Sequence, residues 1–411
     1  MCPILAIWYA VSEGELIKIE QEKSMSTDAK LFSPLKLRGV TLPNRVVLSP
    51  LCMYSANSGV ASDWQFAHLS TFARGGVGLV FAEATAVEPR GRITPRCLGI
   101  WTDEQAEALR STTGFITSMG SIPGIQIAHA GRKASASPPW DGGKPLAIGD
   151  ATWGDPSWEV MGPSAVPLAD GWQTPQAMSE DDITNTINNF STSARRAVTA
   201  GFKVLEVHGA HGYLIHSFLS PVSNQRNDAY GGDLHGRMRF ALEVAEAVRS
   251  SWPDDLPLFF RISAVDNNGW SIDDSVVLSN ELKLRGVDVI DCSAGGITGA
   301  PAFRAKDDGS PVKTSSDRPL GFQVPYASQI RKESNIATMA VGRIIEAHQA
   351  EKILTDNNAD LIGIGRELMY NPFWALHAAE HLKSADPLEG WPDQYRWAIT
   401  RRADLEQSSK P

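Results

Sequence analysis

Cysteine is scarce in this chain. Four are spread over 411 residues, Cys2, Cys52, Cys97 and Cys292, and none has the spacing that builds a zinc site, an iron–sulfur cluster or a disulfide framework. Positive charge is also in deficit, with 38 Lys and Arg against 47 Asp and Glu and a formal net charge of -9. That balance argues against a nucleic-acid partner and makes small molecules the expected ones. No apolar run is long enough to span a bilayer. The opening MCPILAIWYAV lacks the basic leader and cleavage pattern of a secretory signal, so a cytoplasmic setting is expected, with no membrane partner. No G-x-G-x-x-G follows the first apolar run, which counts against an open dinucleotide-binding sheet.

Short β-branched runs recur, separated by stretches of helical length and pattern. They begin at Arg45, Val77, Pro123, Phe202, Pro257, Val287, Ile336 and Ala359. Helices are expected over Asp63–Arg74, Asp103–Met119, Ser179–Ala200, Leu234–Ser251, Asp273–Leu284, Phe322–Glu333, Glu346–Asn357 and Pro372–Lys383. Strands that are apolar throughout belong in a parallel sheet covered by helices. Eight strand-then-helix units predict an α/β fold, a closed (β/α)8 TIM barrel forming a single domain. The expected organisation is a peripheral extension over residues 1–30, the barrel over 31–385, and a C-terminal segment over 386–411 available for subunit contact. Residues Gly131 to Met178, dense in Pro, Gly and Trp, read as a long loop or hairpin capping the barrel mouth after the third strand.

The unusual polar residues crowd the C-terminal ends of these strands, where barrels place their chemistry. The first run ends in Ser49-Pro50-Leu51-Cys52-Met53-Tyr54, and the third leads through Gln126 to Lys133. The fourth carries VHGAHGY, with His208, His211 and Tyr213. Gln126 and Arg261 interrupt apolar runs, where an unpaired amide or guanidinium is costly, so both are expected to face a polar ligand; for Arg261 the competing reading is a salt bridge at the barrel floor. Cys52 reads equally as a small buried hydrophobe or a site residue. Gly342-Arg343 and Gly365-Arg366 end the last two runs, where glycines and a helix start can hold a phosphate; a strand-ending turn with a solvated arginine is the alternative. His208 and His211 have no third ligand at metal spacing, and no metal is expected. Two imidazoles can instead donate to one oxygen on which charge develops, and Tyr213 is a protonated phenol at neutral pH.

Taken together, SPLCMYS, AEATAVEPRGRIT, GIQIAHAGRKAS, VHGAHGYLIHSFLSPVSNQRNDAYGG and ADLIGIGRELMYNPFWA resemble the Old Yellow Enzyme flavoprotein family over Leu31 to about Arg396. The cysteine in SPLCMYS and the phrase AHAGRKAS point to its class III, thermophilic-like subgroup. The resemblance implies non-covalently bound FMN, reduced by NADPH or NADH and reoxidised by an activated alkene in ping-pong fashion. By the same resemblance Ser49, Pro50, Leu51, Cys52 and Ala84 line the flavin and Cys52 tunes it. Gln126 bonds the pyrimidine ring, Arg261 faces its N1/O2 edge, His208 touches the cofactor as well as the substrate, and Gly342, Arg343, Gly365 and Arg366 hold the phosphate. His208 and His211 hold the substrate oxygen with Tyr54 assisting and Lys133 close by, while Tyr213 delivers a proton. Two positions depart from the pattern. Tyr370 stands where some members carry arginine, and Arg396 is the arginine the resemblance offers to a neighbouring subunit's site. A homodimer or higher homo-oligomer is implied. Dienoyl-CoA reductase and amine dehydrogenase relatives, which add an iron–sulfur cluster, do not match the cysteines.

Overall fold

The computed structural model describes residues 29–299, 318–383, 386 and 388–408. Eight parallel strands close into a barrel: β1 (Val46–Leu48), β2 (Leu79–Ala86), β3 (Ile122–Ala128), β4 (Val204–Gly209), β5 (Leu258–Ser263), β6 (Val289–Ser293), β7 (Ala337–Ala340) and β8 (Leu361–Ile364). β8 returns to pair with β1, which leaves no exposed edge in the cylinder. Every residue of β2 and β4 is buried, as expected for strands covered by helices on one face and by the barrel interior on the other. Phe81 of β2 meets Phe259 of β5 edge-on, ring centres 5.8 Å apart. The two strands are not neighbours, so this contact crosses the interior and the barrel is a packed core.

The helices form where the periodicity places them, and among the described residues five start on a side-chain cap, from Ser62, Thr102, Ser179, Asp233 and Ser271. Ser179 begins the helix Glu180–Thr199: its hydroxyl accepts from the Asp182 backbone N–H at 3.1 Å, and the Asp182 carboxylate accepts from the Ser179 N–H at 3.0 Å. Helices Asp63–Arg74 and Leu234–Ser251 have the expected bounds. The stretch expected as one helix from Asp103 to Met119 is two, Asp103–Ala108 and Arg110–Ser118, meeting at Leu109.

Before the barrel, Leu35–Leu37 and Val40–Leu42 pair as an antiparallel hairpin. Its turn is fastened below β5 and β6: the Gly39 N–H donates to the Asp255 carbonyl at 2.8 Å, and Arg38 pairs with Asp288 at 2.7 Å. The hairpin therefore serves the floor of the barrel, away from the mouth. Of the expected peripheral extension, residues 1–28 lie outside the described residues. Lys30 is already attached to the barrel, its ammonium donating to the Leu354 carbonyl at 2.7 Å.

The capping segment after β3 is a long loop. Met161–Gly162 and Gln176–Ala177 pair within it in parallel, not as a hairpin. Asp155 bolts this loop to the barrel by accepting from Arg92 at 2.5 Å and from the Ser58 hydroxyl at 3.0 Å. The Arg92 guanidinium lies between the rings of Trp101 and Trp158, 5.4 and 4.8 Å from their centres. At the other end of the chain, helix Asp393–Ser408 carries Arg396, which pairs with Asp386 of the same chain.

Candidate active site

Strand β4 ends in a tight turn from His208 to Tyr213 that builds most of the site locally. The His208 Nδ1 accepts the Ala210 backbone N–H at 3.3 Å, so the neutral ring carries its proton on Nε2. His211 is left-handed (φ 60°), and its backbone N–H donates to the Ser263 hydroxyl at 2.9 Å. Its Nε2 lies 2.6 Å from the Ser293 hydroxyl, which also accepts from the Gln323 amide at 3.1 Å. Gly212 is required to be glycine: at φ 74° a Cβ would stand 2.2 Å from the Gly296 carbonyl. Its N–H donates to Nδ1 of the fully buried His216 at 2.8 Å. Tyr213 then stands at the N-cap position of the short helix Leu214–Leu219, with no capping bond from its side chain.

This turn brings the three rings together. His208 and His211 have ring centres 5.2 Å apart, and His208 and Tyr213 5.0 Å, both edge-on. Burial, with Arg261 and Lys133 adding repulsion, holds both imidazoles well below the ordinary histidine range, so they are neutral. Burial raises the Tyr213 phenol above its ordinary value and keeps it protonated. Lys133, on the turn after β3, donates to the His211 carbonyl at 2.8 Å, and its ammonium lies 5.1 Å from the centre of the Tyr213 ring.

From β1, the Ser49 N–H donates to the Ile364 carbonyl at 3.0 Å, extending the barrel pairing by one residue. Pro50, Leu51, Cys52 and Tyr54 follow, all half-buried. Burial first, then Glu83, pushes the Cys52 thiol up, so it is a thiol and not a thiolate. Tyr54 is raised chiefly by burial, with Cys52 and Tyr213 contributing, which places it beside the turn residues. Its ring meets Trp140 of the capping loop at 5.8 Å.

Below these residues runs a polar layer. Gln126 stands in register with Glu206, and Arg261 with both His208 and Asp291. Gln126 donates to Glu206 at 2.8 Å. The Arg261 Nε is 2.9 Å from the Asp291 carboxylate, although the alignment is too poor for a hydrogen bond. Ala84 is buried on β2 just past a register shift at Ala82/Ala84. That bulge leaves Glu83 to accept from the Met53 N–H at 3.1 Å and the Gln65 amide at 3.2 Å, with its carboxyl pushed up to about 7 by burial.

At the ends of β7 and β8, Gly342 (φ 108°) and Arg343 (φ 55°) form a left-handed turn, and Gly365 precedes the short helix Arg366–Tyr370. The Arg343 guanidinium donates to the Arg318 carbonyl. Arg366 and Tyr370 are exposed. Arg396, in contrast, contacts none of the turn residues and makes its ion pair in its own C-terminal segment. Reading the sequence missed Glu83, Glu206, Asp291 and the His216–Asp266 pair. Their signal was an acid or imidazole inside an apolar run, as in VLEVHGA and VDVIDCSAG. Among the described residues, no three His, Cys, Asp or Glu side chains gather as a metal site, and no helix is long and apolar enough to cross a membrane.

Comparison with solved structures gives the class of protein, a (β/α)8 barrel of the kind found in reductases. Morphinone reductase superposes with a TM-score of 0.68 at 24% identity, over 89% of this chain and 96% of that one. A 2-naphthoyl-CoA reductase complex superposes with a TM-score of 0.73 at 21% identity, over 86% of this chain, which spans about half (52%) of that one. The chain belongs to the NADH:flavin oxidoreductase / NADH oxidase family, that of Old Yellow Enzyme, whose model matches residues 30–385. Similar relatives are the NADPH dehydrogenases of Geobacillus sp. (strain WCH70), 44% identical over 86% of this chain and 95% of that protein, and of Halalkalibacterium halodurans, 43% identical over 89% and 98%. The protein is an oxidoreductase with FMN as its cofactor and a nicotinamide nucleotide as reductant.

Proposed function

We propose that this protein is an ene-reductase that reduces the activated C=C bond of α,β-unsaturated carbonyl and nitro compounds at the expense of NADPH. The observation that carries the reading is the turn at the end of β4, where a neutral imidazole, His208, has a second neutral imidazole and a protonated phenol at 5.2 and 5.0 Å, ring centre to ring centre. Such a set can bind an oxygen and protonate a carbon near it without help from a metal.

The residues present suit FMN. The Gln126 amide spends its NH2 group on Glu206 and keeps its carbonyl free, and Arg261 offers a cation above the same layer. Together they match the N–H and C=O edges of a pyrimidine ring. Ser49, Pro50, Leu51, Cys52 and Ala84 would line the ring. Gly342, Arg343, Gly365 and Arg366, on the ends of the adjacent strands β7 and β8, would hold the phosphate, with backbone N–H groups close to its oxygens. When bound, FMN supplies the hydride chemistry, accepting from the nicotinamide and giving to the β-carbon of the alkene in alternation.

The chain's own part is positioning and proton transfer. The Nε2–H of His208 and the ring of His211 hold the substrate oxygen and stabilise the negative charge that grows on it. Both rings being neutral, they donate hydrogen bonds without surrendering a proton. Tyr54 closes the same side, and Lys133 sets the backbone of the turn through the His211 carbonyl. The Tyr213 hydroxyl, kept protonated by burial, delivers the proton to the α-carbon. Substrate and nicotinamide occupy one mouth in turn, which makes the kinetics ping-pong. The barrel at 31–385 is the catalytic unit, and the segment from 386 carries the subunit contact of a homodimer, with Arg396 as the residue offered to the neighbouring site.

The test is anaerobic. The FMN-loaded protein should bleach on NADPH and recover its colour with cyclohexenone. Flavin that is reduced by NADPH but ignores every enone would overturn the ene-reductase reading.

A further inference from the structure

Glu206 sits in the middle of β4, is fully buried, and among the described residues has Gln126 as its sole hydrogen-bond partner. Its neighbour Asp291 is also fully buried and has the Arg261 cation at 2.9 Å. Glu206 feels the same cation only through space, and among the described residues its Oε2 is without a hydrogen-bond partner. A buried carboxyl group with one oxygen unsatisfied costs stability, and a leucine or valine would fill the same strand position at no such cost. A local rule broken in this way is expected where a residue serves function.

An amide has a donor end and an acceptor end, whereas a carboxylate can only accept. Glu206 therefore takes the NH2 end of Gln126, and a protonated carboxyl accepts through its carbonyl oxygen in the same arrangement. The Gln126 carbonyl is left pointing elsewhere, with no donor among the described residues. We propose that Glu206 is a positioning residue of the cofactor site, fixing Gln126 so that its carbonyl is presented to the N–H of the FMN pyrimidine ring. This rests on the reading above that Gln126 meets that ring.

Glu206→Gln keeps the shape and offers donor and acceptor alike, so Gln126 can sit either way round. FMN binding, read by quenching of FMN fluorescence on titration into flavin-free protein, should weaken about tenfold, the worth of one well-aligned hydrogen bond. The melting temperature of the flavin-free variant should be unchanged or higher, because an unsatisfied acid has been removed. Gln126→Leu should weaken FMN binding by a similar factor, and combining it with Glu206→Gln should add nothing further. Unchanged FMN affinity, additive losses, or a variant that melts early or fails to fold would each overturn the inference, the last by showing a structural role alone. A wild-type protein that takes up no FMN would instead overturn the proposed function, and this inference with it.

Discussion

The ammonium of Lys133 lies 5.1 Å from the centre of the Tyr213 ring while donating a 2.8 Å hydrogen bond to the His211 carbonyl. One cation thus meets both the backbone of the residue proposed to bind the substrate oxygen and the ring of the proposed proton donor. The element carrying it, the turn after β3, is separate from the one carrying the other two. The roles of these residues can be separated by experiment.

Tyr213→Phe removes the proton and little else, since the phenol makes no hydrogen bond among the described residues. Reoxidation of the reduced flavin by an enone should slow by about 10²–10⁴-fold, and flavin reduction by NADPH should be nearly unchanged. Stopped-flow absorbance of each half-reaction reads the two steps apart. An equal fall in both would remove Tyr213 from its role.

His208→Ala deletes the Nε2–H donor proposed to meet the substrate oxygen. Binding of a phenol ligand should weaken by about 10–100-fold, while FMN retention changes by less than about threefold on the same reasoning. Spectral titration with p-hydroxybenzaldehyde and with FMN compares the two directly.

Lys133 gives a pH signature. Burial, and then Arg132, push its ammonium down to about 8. Below that pH the cation is present, and as the pH rises through 8 it is lost, so kcat/KM for the enone should decline above about pH 8. Lys133→Arg should move that limb beyond pH 10, because a guanidinium keeps its charge. Stability carries the complementary sign. Between about 8 and the ordinary value of 10.5 the unfolded chain binds more protons than the folded one, so this group contributes stability that increases with pH across that window. Urea unfolding of the wild type and Lys133→Met from pH 7.5 to 10.5 should show the difference.

Asp155→Ala unfastens the capping loop, leaving Arg92 without its carboxylate. A loss of about 1–3 kcal/mol is expected for a hydrogen-bonded charged pair of which one partner is buried. Limited proteolysis should shift toward the loop around residues 142–157, and turnover of bulky enones should change more than turnover of cyclohexenone, because Trp140 against Tyr54 belongs to the loop so released.

All eight barrel strands and most helix bounds were legible because burial on both faces leaves a continuous apolar run and capping leaves a Ser or Thr three residues before an acid or amide. The break at Leu109 was not, since nothing in the local pattern there departs from a helix. Within the site, VHGAHGY was readable because its geometry is set by neighbours in the chain. Glu206 and Asp291 were not. Their importance depends on register: only the pairing of β3 with β4 puts Glu206 beside Gln126, and only that of β5 with β6 puts Asp291 beside Arg261. The capping loop's parallel pairing escaped for the same reason, since two residues per strand carry no periodicity.

The turn from His208 to Tyr213 fits two imidazoles and a phenol, the proposed oxygen anchor and acid, into six consecutive residues. Their mutual spacing is therefore written into one short piece of backbone, and it will survive drift in barrel radius, loop length or subunit arrangement that would scatter groups drawn from distant strands. Evolution of new substrate preference in this protein is free to work on the surrounding loops while the reacting groups travel as a cassette.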